Sequence, residues 1–198
     1  MLSAFVANAA APAAPDPFAF VADALDTGDF VGEGVRQEVV ISADFNADGE
    51  TDVAMVARNE DRRVLLVLLG KKEGGLRRIG IAELDPYPLG EAQLKAPKGV
   101  LVIEDLTGGT TAIQSTCRYR YDKATDRMRL IGDDASLYSR TWQHGTTTVS
   151  TNRLTGKRIT TINDLVGEGE NATLGPDKAT RSTVPTESRI YLGEAPTP

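Results

Sequence analysis

One cysteine, one histidine and one tryptophan stand among the 198 residues of this chain, and each scarcity closes off chemistry. Cys117 by itself can form no intramolecular disulfide, thiolate zinc site or redox pair. His144 by itself leaves little for a Ser-His-Asp relay or a histidine metal site. No stretch approaches the roughly 18 consecutive apolar residues of a membrane span. Positive charge is in deficit, with 22 Lys and Arg against 28 Asp and Glu. Nucleic acid is therefore not the expected partner, because phosphate binding calls for a basic face. A net charge of −6 suits a cationic protein surface instead. No Gly-rich phosphate loop stands between a strand and a helix, and the chain is expected not to be an enzyme.

What the sequence does contain is concentrated in Asp44-Phe45-Asn46-Ala47-Asp48-Gly49-Glu50-Thr51-Asp52. Oxygen ligands recur at the first, third, fifth and ninth places, with glycine sixth. That spacing predicts a calcium loop, with side-chain oxygens from Asp44, Asn46, Asp48 and Asp52 and a backbone carbonyl near Glu50. Gly49 supplies the sharp turn. A helix-loop-helix calcium hand would need a bidentate Glu at the twelfth place, which is Met55 here. Val39-Val40-Ile41 leads in and Val53-Ala54-Met55-Val56 leads out, both short β-branched runs that read as strands. Ca2+ is thus expected as a staple between two strands, of modest affinity and useful where calcium is abundant.

Strand signals dominate the remainder. Arg36 to Ala43 and Thr51 to Arg58 flank the loop, and Arg63 to Leu69 reads as a central strand covered on both faces. Leu76 to Leu84, Val100 to Ile103, Ala112 to Tyr121, Arg127 to Ile131, Thr146 to Thr151 and Lys157 to Ile162 follow. Residues 188–192 return as a last strand. Short strands punctuated by turns predict an all-β fold, an antiparallel β-sandwich or a propeller-like sheet, with a short N-terminal helix over Pro17 to Leu25. Ile113, Ser115, Cys117, Tyr119 and Tyr121 share one strand face, which makes Cys117 a small core residue.

Phe5-Val6-Ala7-Asn8-Ala9-Ala10-Ala11 resembles the end of a secretory signal without a basic start. Residues 1–16 are read as a signal remnant or a flexible Ala/Pro-rich tether, which also leaves room for a lipid anchor lost upstream. Residues 17–163 are read as one β domain. Residues 164–198 form an acidic, Gly-rich loop and tail, unperiodic from Asp164 to Thr180. Asn171-Ala172-Thr173 matches a glycosylation sequon.

The loop from Asp44 to Asp52 resembles those of integrin-type and VCBS-type repeats. The order of Leu65-Leu66-Val67-Leu68-Leu69, Arg118-Tyr119-Arg120-Tyr121, Arg129-Leu130-Ile131-Gly132 and Ser150-Thr151-Asn152-Arg153-Leu154-Thr155-Gly156-Lys157 resembles the periplasmic I-type lysozyme inhibitors. It also resembles the related immunity proteins that oppose type IV secretion peptidoglycan hydrolases. The resemblance covers Val35 to Asn163. It implies a periplasmic or secreted antiparallel β protein that blocks a lysozyme-like hydrolase by pushing a loop into its cleft. The family's inhibitory Ser-Gly-x-x-Tyr motif has no clean copy here, and Ser136-Leu137-Tyr138 is the nearest candidate. The polar stretch from Gly132 to Gly145 carries Ser136, Tyr138, Arg140, Trp142 and His144, residue types suited to meeting two catalytic carboxylates. Tyr138 and Trp142 would alternatively cover a sheet edge. A secreted integrin-like or VCBS-like adhesion or glycan-binding module is the other reading of the whole chain.

Overall fold

The computed structural model describes residues 16–19, 21–141, 144–167, 172–186 and 189–194. The signal-like residues 5–11, Trp142, Asn171 and Ser188 lie outside the described residues. Within them the protein is all-β. Strands β1 (Asp23–Ala24), β2 (Arg36–Ala43), β3 (Asp52–Arg58), β4 (Arg63–Gly70) and β5 (Leu76–Leu84) form a five-stranded antiparallel sheet in the order β1-β5-β4-β3-β2. A seven-stranded sheet follows from β6 (Gln93–Lys95), β7 (Leu101–Gly108), β8 (Thr111–Asp122), β9 (Arg127–Ser139), β10 (Thr146–Asn152), β11 (Lys157–Asn163) and β14 (Lys178–Thr183), ordered β14-β11-β10-β9-β8-β7-β6. Strands β12 (Leu165–Val166) and β13 (Thr173–Leu174) make a small separate hairpin. No helix among the described residues is long and apolar enough to cross a membrane.

The sandwich follows from period-2 patterning in β3 and β4. Ala54, Val56, Leu65 and Val67 face Leu101, Ile103, Tyr119 and Met128 of the larger sheet, all of them buried. Val53, Met55, Ala57, Val64, Leu66 and Leu68 point the other way, beneath Phe18 and Phe30 of the N-terminal segment. The smaller sheet is covered on both sides, which explains why β3 and β4 are almost uninterruptedly apolar. Cys117 lies 4% exposed in the inter-sheet core, and burial pushes its thiol up to about 12. It packs as a small core residue.

The helix expected over Pro17 to Leu25 does not form. Pro17 and Phe18 turn, Asp23 and Ala24 pair with Arg77 and Leu76 at the edge of β5, and a 3-10 turn spans Thr27–Phe30. A helix this short is marginal by itself. The sheet face offers Phe18 and Phe30 burial, and the edge of β5 offers Asp23 and Ala24 hydrogen-bond partners.

Two further elements outrun their sequence signals. β9 continues to Ser139 rather than stopping at Ile131, so Ser136 and Tyr138 sit in a strand and not in a loop. Consecutive Asp133 and Asp134 are tolerated there because Arg153 pairs with Asp133 and Arg118 with Asp134. The stretch from Asp164 to Thr180, read as a loop, contributes β12, β13 and the start of β14. Its threonines and glycines carry little periodicity, and strand formation there comes from pairing, of β12 with β13 and of β14 with β11.

β9 bears a bulge near Ile131, where its register with β8 shifts after Arg118. Below it, Arg129 bridges Tyr191, and the Leu130 and Leu192 amides donate to the Ile190 and Met128 carbonyls at 2.9 Å each. Above it, β10 pairs with residues 132–137 of β9. The buried inter-sheet cluster includes no residue of β10, β11 or β14, which form a wing beyond the sandwich.

Candidate functional site

Two places collect the residues singled out in the sequence. The first is the turn between β2 and β3. Asp44 accepts from the Asp48 amide at 3.2 Å and the Gly49 amide at 3.0 Å. Asn46 Oδ1 accepts from the Asp48 amide at 2.9 Å, and Asp48 Oδ1 from the Glu50 amide at 2.8 Å. The Asn46 side-chain amide donates to Asp48 Oδ2 at 2.8 Å. Gly49 holds φ 89°, and Ala47 reaches φ 59°, the left-handed region that glycine enters without penalty. The Glu50 amide and then the Asn46 side chain hold the Asp48 carboxyl below its ordinary range.

Asp52 behaves differently. It is fully buried, and its oxygens accept from the Phe45 amide at 2.7 Å and the Gly70 amide at 2.9 Å. Burial pushes its carboxyl up, against the pull of those amides. Asp52 thus locks the end of the loop onto the end of β4. Glu50 takes part through its backbone amide. The structure therefore ties Asp44, Asn46 and Asp48 together and turns Asp52 inward. Among the described residues no three acidic, histidine or cysteine side chains form a group that could hold a metal ion. The donor chemistry nevertheless suits a hard cation. A carboxylate has about four lone-pair sites, and the amides leave Asp44 and Asp48 with capacity to spare.

The second place is the free end of β9. Tyr138, Arg140 and His144 line one groove of about 760 Å³, whose other side is the β12–β13 hairpin with Leu165, Ala172 and Leu174. Thr146, at the start of β10, completes the wall and bonds Asn163 at 3.0 Å. Arg140 and His144 are exposed, and Tyr138 is half-buried. Ser136 is not part of this groove. It sits in the ladder with its hydroxyl 3.2 Å from that of Thr148. Trp142 lies outside the described residues. The groove combines an apolar floor with a few polar rim groups, the usual make-up of a binding cleft. Nothing in the sequence flagged the hairpin residues, because Leu165 and Leu174 belong to short strands without periodicity.

A third cluster escaped sequence reasoning altogether. Arg63 is fully buried and forks between two carboxylates. Its Nε and Nη2 donate to Glu38 at 2.8 and 2.6 Å, and its Nη1 and Nη2 to Asp105 at 2.8 and 3.0 Å. Glu38 also accepts from the Ala92 amide at 2.7 Å. Burial would raise the Glu38 carboxyl, but Arg63 and that amide outweigh it and hold the group below its ordinary value. Every charge in this cluster is answered, so it reads as a clamp between the sheets.

Set against protein-family models, curated proteins and solved structures, the chain matches none of them.

Proposed function

We propose that this protein is a calcium-stabilised periplasmic inhibitor or immunity protein that blocks a lysozyme-like peptidoglycan hydrolase through the free end of its larger sheet. The observation that carries the reading is the convergence of Tyr138, Arg140 and His144 on one groove beyond the sandwich. A lysozyme-type cleft uses two carboxylates flanking the scissile bond. A cationic guanidinium beside a phenol and an imidazole is a donor set that can engage such carboxylates, and Tyr and Arg are frequent anchors of protein interfaces. The blocking element in this reading is the end of β9 with Tyr138, Arg140 and His144. Asp44, Asn46 and Asp48 would hold the calcium ion, which staples β2 to β3 far from the blocking element.

The test is hydrolysis of peptidoglycan by a panel of lysozyme-fold enzymes with this protein added, in calcium and in chelator. Near-stoichiometric inhibition is expected. Failure of well-folded, calcium-loaded protein across the panel, together with retention on a polysaccharide, would replace the reading with a glycan-binding module.

A further inference from the structure

The larger sheet ends on β14, and all six of its residues are exposed. Its register with β11 runs without a bulge from Lys157 opposite Thr183 to Ile162 opposite Lys178. Beyond its end, the Val184 amide donates to the Gly156 carbonyl at 2.8 Å. Antiparallel ladders alternate between residues that bond the neighbour and residues that face away. Lys178, Thr180 and Ser182 therefore point their amides and carbonyls at β11, while those of Ala179, Arg181 and Thr183 point outward. Among the described residues no strand follows β14 in the sheet order. Pro176 and Pro185 bracket it and none interrupts it, so the edge is a continuous template for another strand.

Charge selects the occupant. β11 and β14 together carry Lys157, Arg158, Lys178 and Arg181 and no acidic residue, within a chain that has 28 acids against 22 bases. Lys178 is answered by Asp164 at 2.6 Å, and Arg158 donates to the Thr151 hydroxyl at 3.2 Å. Lys157 and Arg181 have no ion-pair partner among the described residues. By strand alternation both project from the same face, next to the outward-facing backbone groups. A second copy is a poor occupant, because the antiparallel register that engages Ala179, Arg181 and Thr183 of both copies sets Arg181 opposite its own copy, and like charges directly opposed are destabilising.

We propose that β14 is a docking edge for an extended acidic segment of another protein, which adds as a further strand of the larger sheet. Backbone hydrogen bonds to Ala179, Arg181 and Thr183 supply the pairing, and carboxylates of the incoming strand meet Lys157 and Arg181. This surface is separate from the groove at Tyr138, and it does not depend on hydrolase inhibition.

The probe is a short synthetic peptide alternating glutamate with valine, and its control is the same peptide with lysine for glutamate. Binding is read by amide hydrogen exchange. The expected result is slowed exchange at Ala179, Arg181 and Thr183 with the acidic peptide alone. Ala179→Pro removes one outward amide while keeping the β11–β14 bonds and every charge, and it should abolish binding. Arg181→Glu should weaken binding about tenfold, the loss of one charge-assisted contact. Acidic peptide bound equally well by Ala179→Pro would reduce the edge to a charged patch and overturn strand addition. Absence of protection in folded wild type, or peptide-free dimerisation through β14, would overturn it as well.

Discussion

Arg63 Nη1 and Asp105 Oδ2 lie 2.8 Å apart with both side chains fully excluded from solvent, joining the middle strand of one sheet to the other sheet. Arg63 is also 2.6 Å from Glu38 on β2. One guanidinium thereby fixes the relative placement of three strands and the incoming segment at Ala92. Its planar fork suits two carboxylates at once, which a lysine could not match.

Breaking this clamp is expected to be costly in an asymmetric way. Arg63→Met leaves two buried carboxylates without their cation and should lower stability by roughly 3–5 kcal/mol. Replacing Arg63, Glu38 and Asp105 together by apolar residues of similar volume should recover most of that loss. Urea unfolding of the single and triple variants measures the difference. Equal destabilisation of both would mean that the cluster stabilises by more than compensating its own desolvation.

Two buried carboxylates should tilt the pH dependence of stability in opposite directions. Glu38 is held below its ordinary value, so its contribution is present above that value and is lost as pH falls through the lower folded one. Asp52 is held above its ordinary value, so in chelator the folded state loses stability as pH rises through that window. Unfolding free energy measured across the acid range should fall less steeply on the acid side in Glu38→Gln than in wild type. Asp52→Asn should remove the opposing slope.

Calcium should raise the melting temperature of the wild-type protein, and chelator should lower it. A ligand that binds only the folded state contributes about 2.7 kcal/mol at a hundredfold excess over its Kd. Asp48→Ala is expected to melt at one temperature with or without calcium. Calorimetric scans with calcium and with chelator test this, and a wild type indifferent to both would remove the ion from the account.

Gly70 closes the same corner from the other side. A Cβ there would stand 2.5 Å from the Thr51 carbonyl oxygen, and backbone cannot yield as a flexible side chain does. Gly70→Ala should cost about 1–3 kcal/mol, the usual range for overpacking. It should also weaken calcium binding in titration calorimetry, since the Gly70 amide orients Asp52.

At the groove, Arg140→Ala and His144→Ala replace exposed side chains, so stability should change by less than about 0.5 kcal/mol. Inhibition of the target hydrolase should weaken roughly tenfold for Arg140→Ala, the equivalent of one interfacial contact. Inhibition constants measured beside melting curves separate the two effects. Unchanged inhibition would move the blocking element elsewhere.

The sequence by itself determined β2 to β5 and the cores of β7 to β11. Alternation in β8 placed Cys117 and Tyr119 inward, and the unbroken apolar run of β4 marked a strand covered on both faces. It also determined the turn from Asp44 to Asp48, because Asp44, Asn46 and Asp48 accept from amides only a few residues away and Gly49 meets a local backbone need. These signals are legible since each depends on neighbours within a few positions. Tertiary structure alone decided the rest. Arg63 reads as an ordinary polar residue at the head of a strand until folding brings Asp105 beside it from 42 positions away. Asp133 and Asp134 read as a loop until Arg153 and Arg118 answer them across neighbouring strands. Pro17 to Leu25 read as a helix until a sheet face needs Phe18 as cover and the edge of β5 pairs Asp23 and Ala24. In each case the deciding partner is distant in sequence, and burial makes its contribution large. A buried charge or an uncovered apolar face costs several kcal/mol until that partner arrives, and local preferences of a few tenths of a kcal/mol do not decide against it.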